Sequence, residues 1–203
     1  MNFTEFLSRV DNTLQQSLGA AGFGRSGAGT WNRCRGEELN VVWFQKHSSE
    51  ASFCVNLGFH FVFLPKAGTE APLTGNKIEQ PDCEIKLRLT GDPKAKDQWW
   101  PIADNVISPV SSLLGNQGLA LFDSYQLSGP IVAAEAKEIE AGNLGLLSGM
   151  TKVRACLLLA RIHEHLGNRS KCIDAANIGI NISGMAVGPK NALRQILQRC
   201  GQA

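Results

Sequence analysis

A chain of 203 residues can build one good core, or a core with a smaller appended piece. With 43% hydrophobic and 19% charged residues, wholesale disorder is excluded. A net charge of +2 lacks the basic excess usual in a nucleic-acid binder, and no polybasic run suits an anionic membrane surface. The N-terminal stretch carries Glu5 and Arg9, so no secretory signal is expected there. No apolar run reaches the roughly 18 residues that a membrane span needs. The 6 cysteines are dispersed, without a C-x-x-C pair, and are expected to be reduced thiols in a cytoplasm.

Taken in order, residues 3–18 carry Phe3, Phe6, Leu7, Val10, Leu14 and Leu18 at helical spacing. Asn2 with Glu5 three residues on predicts a capping box, and Gly19 or Gly22 predicts the end. GFGRSGAG at 22–29 contains G-x-G-x-x-G, but a helix precedes it and strand-like TWNRCR follows. A dinucleotide fingerprint needs the reverse order, so a strand and turn at a sheet edge is expected. Residues 39–63 are rich in β-branched and aromatic side chains around the polar break 47–50, which predicts a long antiparallel hairpin. In its second arm Phe53, Val55, Leu57, Phe59, Phe61 and Phe63 share one face, and the N-terminal helix is the candidate to cover it. Cys54, Asn56, Gly58, His60 and Val62 share the other.

Residues 64–82 lack periodicity and predict an exposed loop. CEIKLRL at 83–89 alternates, with Cys83, Ile85, Leu87 and Leu89 inward and Glu84, Lys86 and Arg88 outward, as a strand beside the second arm. Beyond a polar stretch at 91–96, helical periods are expected over 102–114, 119–127, 131–141, 152–166, 171–182 and 190–200. Breaks are expected at Pro109 and 115–118, a cap at Ser170 and a start at Pro189. Helix, strands, then helices predicts an α+β fold. A helix would pack on an antiparallel sheet of about four to five strands, followed by a C-terminal helical layer. The expected division is 1–127 for the sheet domain and 128–203 for a helical extension packed on it, with one single domain as the alternative. Within that extension, residues 155–176 faintly echo one tetratricopeptide-type helical pair, too little for an array.

Several of these landmarks together resemble a bacterial family of domains of unknown function, number 4304. They are the opening helix running into Gly22 and Phe23, TWNR at 30–33, VVWFQK at 41–46 and FCVNLG at 53–58. Cys83, Glu84 and Ile85 with Arg88 and Leu89, KDQWW at 96–100, and LFD at 121–123 complete the set. The resemblance covers about residues 3–127. It implies an α+β fold and a bacterial, cytoplasmic setting, and it implies no catalytic residues.

No metal or cofactor site is expected. The cysteines are too dispersed for structural zinc. His163 and His165 stand roughly 200° apart around a helix, so they are expected to be solvated rather than to share an ion. No Ser nucleophile elbow or phosphate loop is present. The candidate binding residues are polar ones on the sheet face opposite the phenylalanines: Gln45, Lys46, Asn56, His60, Glu84, Lys86 and Arg88. Trp31 and Trp43 border that face, as do Trp99 and Trp100, which join the binding set. The plainer account is an ordinary solvated face, with Glu84, Lys86 and Arg88 in cross-strand charge pairs and Trp99 and Trp100 as core anchors. The expected function is a non-enzymatic binding module for a protein or another acidic partner. The alternative is an enzyme acting on a nucleotide or nucleic acid, with Arg88, Lys46, His60 and Glu84 converging in one pocket.

Overall fold

The structure, a computed structural model, describes residues 1–69, 71–92 and 94–202. Glu70, within the predicted loop, and Pro93, within the predicted polar stretch, lie outside them. The chain forms two compact units, Met1–Tyr125 and Gln126–Ala203.

The first unit opens with α1 (Phe3–Ala20). Asn2 Oδ1 accepts from Glu5 N–H at 2.9 Å, and Glu5 Oε2 accepts from Asn2 N–H at 3.0 Å. The predicted capping box is therefore present. Gly22, at φ +83°, follows the helix in the left-handed region. Strands β1 (Gly24–Gly27), β2 (Thr30–Arg35), β3 (Glu38–Lys46), β4 (Ser52–Phe61) and β5 (Ile85–Arg88) then pair in chain order as an antiparallel meander. A two-residue β6 (Trp100–Pro101) pairs with the start of β4, making six strands. The glycine-rich run is edge strand β1 and the turn after it, as its context predicted.

One sheet face is the aromatic wall, and α1 covers it as expected. Phe6 meets Phe53 with ring centroids 4.5 Å apart. Farther along, Phe122 meets Phe59 at 4.8 Å and Phe23 at 5.2 Å. Phe122 belongs to α3 (Leu119–Ser124), joined to α2 (Ile107–Leu113) by a π-helical turn over Leu114–Gly118. The breaks predicted at Pro109 and 115–118 therefore do not interrupt the helix. Pro109 sits in the first turn of α2, where its missing N–H has no helical partner to lose. The glycine-bearing stretch widens into a π turn instead of ending. Phe63 lies beyond β4 in a turn, stacked 5.5 Å from Phe61.

A carboxylate does not suit α1's buried stripe, yet Asp11 is there, 2% exposed. It accepts from Trp31 Nε1–H at 3.1 Å and from Gly29 N–H at 3.3 Å, and pairs with Arg25 at 2.7 Å. Gly29 has φ +62°, and a Cβ there would lie 2.6 Å from Leu7 Cδ2. The glycine-rich turn thus serves to bring backbone against α1. It also draws Trp31 fully into the wall, correcting its expected place beside the polar face.

The opposite face departs from expectation. Most described residues of 64–82 are exposed and irregular, as expected of a loop, but Leu64, Ile78 and Gln80 are buried. The last part of this segment crosses the sheet: Ile78 and Cys83 pack on Leu39 and Val41, with Trp43, Val62 and Leu73 around them. Cys83 accordingly faces Gly58 rather than sharing a side with Ile85 and Leu87, and β5 begins only at Ile85. The alternation over 83–89 forms a strand only from Ile85, because the 3-10 turn Gln80–Asp82 delivers Cys83 to the Gly58 side of the sheet.

The second unit holds α4 (Pro130–Ala133), α5 (Ala136–Ala141), α6 (Lys152–His165), α7 (Arg169–Ile182) and α8 (Val187–Gln202). The helix expected over 131–141 is two short ones, parted where Ala134 and Glu135 are extended. Asn168, not Ser170, precedes α7, and Pro189 falls within the first turn of α8. Buried Leu158, Leu159, Ile162, Ala175, Ala176, Leu193 and Ile196 form the core of this unit. His163 is 2% exposed, correcting the expectation of a solvated side chain. The stripe of α6 is wide enough to include it, since residues 155–160 are all buried.

Candidate functional site

Strand register divides the second sheet face in two. Leu39 and His60 stand opposite one another, as do Val41 and Gly58, and the crossing segment covers these rows. The next row runs Thr30, Trp43, Asn56, Arg88 across β2 to β5, each residue paired with the next. The row beyond it holds Gln45 opposite Cys54. Thr30, Trp43, Gln45 and Arg88 all retain solvent exposure.

Along the boundary between the covered and uncovered halves runs a groove of about 710 Å³. Thr30, Asn32 and Trp43 form its floor, and Lys66, Lys77 and Asp82 stand on its wall. Lys66 pairs with Asp82 at 2.8 Å. That pairing holds the Lys66 ammonium above its ordinary pKa.

At the other end of the row, the Arg88 guanidinium stacks 4.9 Å from the centre of the Trp99 ring. Asp97 bridges the two: its Oδ2 accepts from Trp99 Nε1–H at 3.0 Å, and its Oδ1 lies 3.0 Å from Arg88 Nη1. The Arg88 contact is an ion pair without hydrogen-bond alignment, since Nη1 makes no hydrogen bond. His47 meets the Trp99 ring edge-on at 4.6 Å and caps the β3–β4 turn by accepting from Glu50 N–H at 3.1 Å. Gln45 Oε1 accepts from Asn56 Nδ2–H at 3.1 Å. Burial raises the Cys54 thiol pKa, opposed by the positive charge of Arg88, so Cys54 is no ready nucleophile.

Gln45, Asn56, Arg88 and Trp99 are thus brought together, with Asn56 itself buried at 6% exposure. The other predicted residues are not in this cluster. Lys46 lies on the pleat side of Phe53, exposed, because it is one residue from Gln45 in a strand. His60 is 1% exposed beneath the crossing segment; its Nδ1 accepts from Glu84 N–H at 3.2 Å and its Nε2 faces Leu64 O at 3.3 Å. Glu84 is buried, and Lys86 reaches over to donate to Pro81 O. These three serve the seam where the segment meets the sheet. Trp100 is buried in the wall, 5.8 Å from Phe53. Sequence reasoning missed Asn32, Lys66, Lys77 and Asp97. Alternation places Asn32 beside Trp43, but no periodicity marks the other three.

Among the described residues no group of three or more His, Cys, Asp or Glu side chains could hold a metal ion, and no helix is long and apolar enough to cross a membrane. Fold and surface together define an α+β domain with a half-covered antiparallel sheet. The family model described as Domain of unknown function (DUF4304) matches residues 14–122, and the chain belongs to that family. The match ends within α3, so it takes in the sheet, the crossing segment and the Arg88 cluster. No curated protein and no solved structure matches the chain.

Proposed function

We propose that the sheet unit is a bacterial cytoplasmic binding module, non-enzymatic, that holds an acidic segment of a protein partner on the uncovered half of its sheet. The observation that carries this reading is the Arg88 position. Its guanidinium is fixed by stacking on Trp99, yet its carboxylate partner Asp97 is 55% exposed and imperfectly aligned. A partner carboxylate can exchange with Asp97 there and gain charge-assisted hydrogen bonds. The partner chain then runs past Asn56 and Trp43, about 10 Å away across two strand spacings, into the groove beside Lys77. The enzymatic reading required Arg88, Lys46, His60 and Glu84 in one pocket. These residues are divided between the two faces and the buried seam, which supports binding over turnover.

The test is an NMR titration of the labelled protein with extended acidic, neutral and basic peptides. Only the acidic peptide should shift the Trp43 and Trp99 indole signals saturably. Arg88→Ala should weaken binding about tenfold or more, the scale of a hydrogen bond to a charged group. Asp97→Asn should tighten binding by removing the competing carboxylate. Equal response to acidic and basic peptides, or none at millimolar concentration, refutes the proposal.

A further inference from the structure

We propose that Cys172 and Cys200 are a reversible dithiol site, oxidised by a peroxide to an intramolecular disulfide that ties the start of α7 to the end of α8. This inference concerns the helical unit and is independent of the binding reading. All six cysteines are free thiols, and these two form a pair, with Sγ atoms 3.1 Å apart. A disulfide bond is about 2.0 Å, so closing it asks for roughly 1 Å of sulfur movement, within reach of small side-chain rotations.

The two sulfurs differ in access. Cys172 is fully buried. Cys200 is 9% exposed and lines a cavity of about 420 Å³ shared with His163, Glu164, Gly167, Arg169 and Arg199. The cavity makes Cys200 the sulfur that a small oxidant reaches. Arg199 lies in the preceding position, held by Glu164 at 2.6 Å, and adds positive charge at the cavity wall. Burial, reinforced by the neighbouring sulfur, raises the Cys172 thiol pKa well above its ordinary value, so Cys172 waits as the resolving thiol.

The chemistry closes with peroxide as the only co-reactant. Cys200 loses its proton and attacks one peroxide oxygen; the S–O bond forms, the O–O bond breaks, and the departing hydroxide takes up the proton as water. Cys200 is then a sulfenic acid. Cys172 loses its proton and attacks the Cys200 sulfur. The S–S bond forms, the S–O bond breaks, and the second hydroxide leaves as water with that proton. Two thiols have lost two electrons to one peroxide. A dithiol reductant reverses the step by thiol–disulfide exchange.

The experiment uses the full chain carrying Cys34→Ser, which removes the exposed thiol and leaves five of the six cysteines. After hydrogen peroxide treatment and denaturation, free thiols should fall from five to three. Peptide mapping should join Cys172 to Cys200, and dithiothreitol should restore all five. Amide exchange at the start of α7 and the end of α8 should slow at least tenfold on oxidation, because the closed loop restricts opening. In Cys172→Ala, Cys200 should be trapped as a sulfenic acid by a 1,3-diketone probe. Retention of all five thiols under peroxide, a linkage between other cysteines, or preferential trapping at Cys172 in Cys200→Ala overturns the proposal. The pairing map of the Cys34→Ser chain, which keeps both cysteines, decides the matter even where an alanine variant fails to fold.

Discussion

Gly58→Ala tests whether the stretch from Ile78 to Cys83 seals the second sheet face around Gly58. A Cβ at Gly58 would lie 2.6 Å from Cys83 Sγ, 3.2 Å from Cys83 Cβ and 3.4 Å from Gln80 Cγ. Overpacking of this kind costs about 1–3 kcal/mol. Replacing glycine within a strand returns about 0.5–1 kcal/mol of chain entropy, so the middle of the two ranges gives a net loss of about 1 kcal/mol. Cys83→Ala alone removes a buried sulfur and should cost on the order of 1 kcal/mol. In the double variant the sulfur clash is gone, although the Cβ contact remains. Its loss should fall short of the two single losses added together by about 1 kcal/mol, a coupling typical of touching residues. Urea unfolding followed by tryptophan fluorescence reads all four proteins. A neutral Gly58→Ala, or losses that add within about 0.5 kcal/mol, would refute the contact and with it the covered half of the face.

Asp11→Ala should destabilise the sheet unit by about 2–5 kcal/mol, since it strands the buried N–H groups of Trp31 and Gly29. Asp11→Asn, which keeps one acceptor, should fall between, and a urea midpoint unchanged in Asp11→Ala would count against the buried anchor. Gly29→Ala combines a left-handed backbone with a 2.6 Å approach to Leu7 Cδ2 and should cost about 2–4 kcal/mol by the same assay; a loss under 0.5 kcal/mol would sink that reasoning. Burial, helped by the Lys171 charge and opposed by Glu135, lowers the His163 pKa below its ordinary value. The unfolded chain therefore takes up this proton first as pH falls. The His163 contribution is complete above about pH 6.5 and declines below it. Thermal unfolding from pH 7.5 to 5 should show that decline in the wild type and a flatter profile in His163→Gln; identical profiles would contradict it.

How much could be read in advance differs between the two sheet faces. The alternation of Phe53, Val55, Leu57, Phe59 and Phe61 specified the wall, and the spacing of Phe6, Val10 and Leu14 specified what covers it. Those signals are local: a strand repeats every two residues and a helix every 3.6, so each apolar face is legible within a short window. Residues such as Asn56 and His60 looked alike by the same rule, both polar and both opposite the wall. Both are buried, but Asn56, 6% exposed, lies between Trp43 and Arg88, which reach solvent, whereas His60, 1% exposed, faces Leu64 O and the Glu84 N–H.

The sequence by itself determined the order of elements, the helix-covered wall, the capped first helix and the edge role of the glycine-rich run, because each depends on neighbours a few residues away. Tertiary structure alone decided the docking of Ile78 and Cys83 on the sheet, the burial of Asp11 and His163, the stacking of Arg88 on Trp99 beside Asp97, and the meeting of Cys172 with Cys200. Each of these joins positions distant in sequence, or sets the environment of a single polar side chain. An aperiodic segment carries no record of the surface on which it settles, and a lone polar residue carries no record of whether its partner lies in water or in protein.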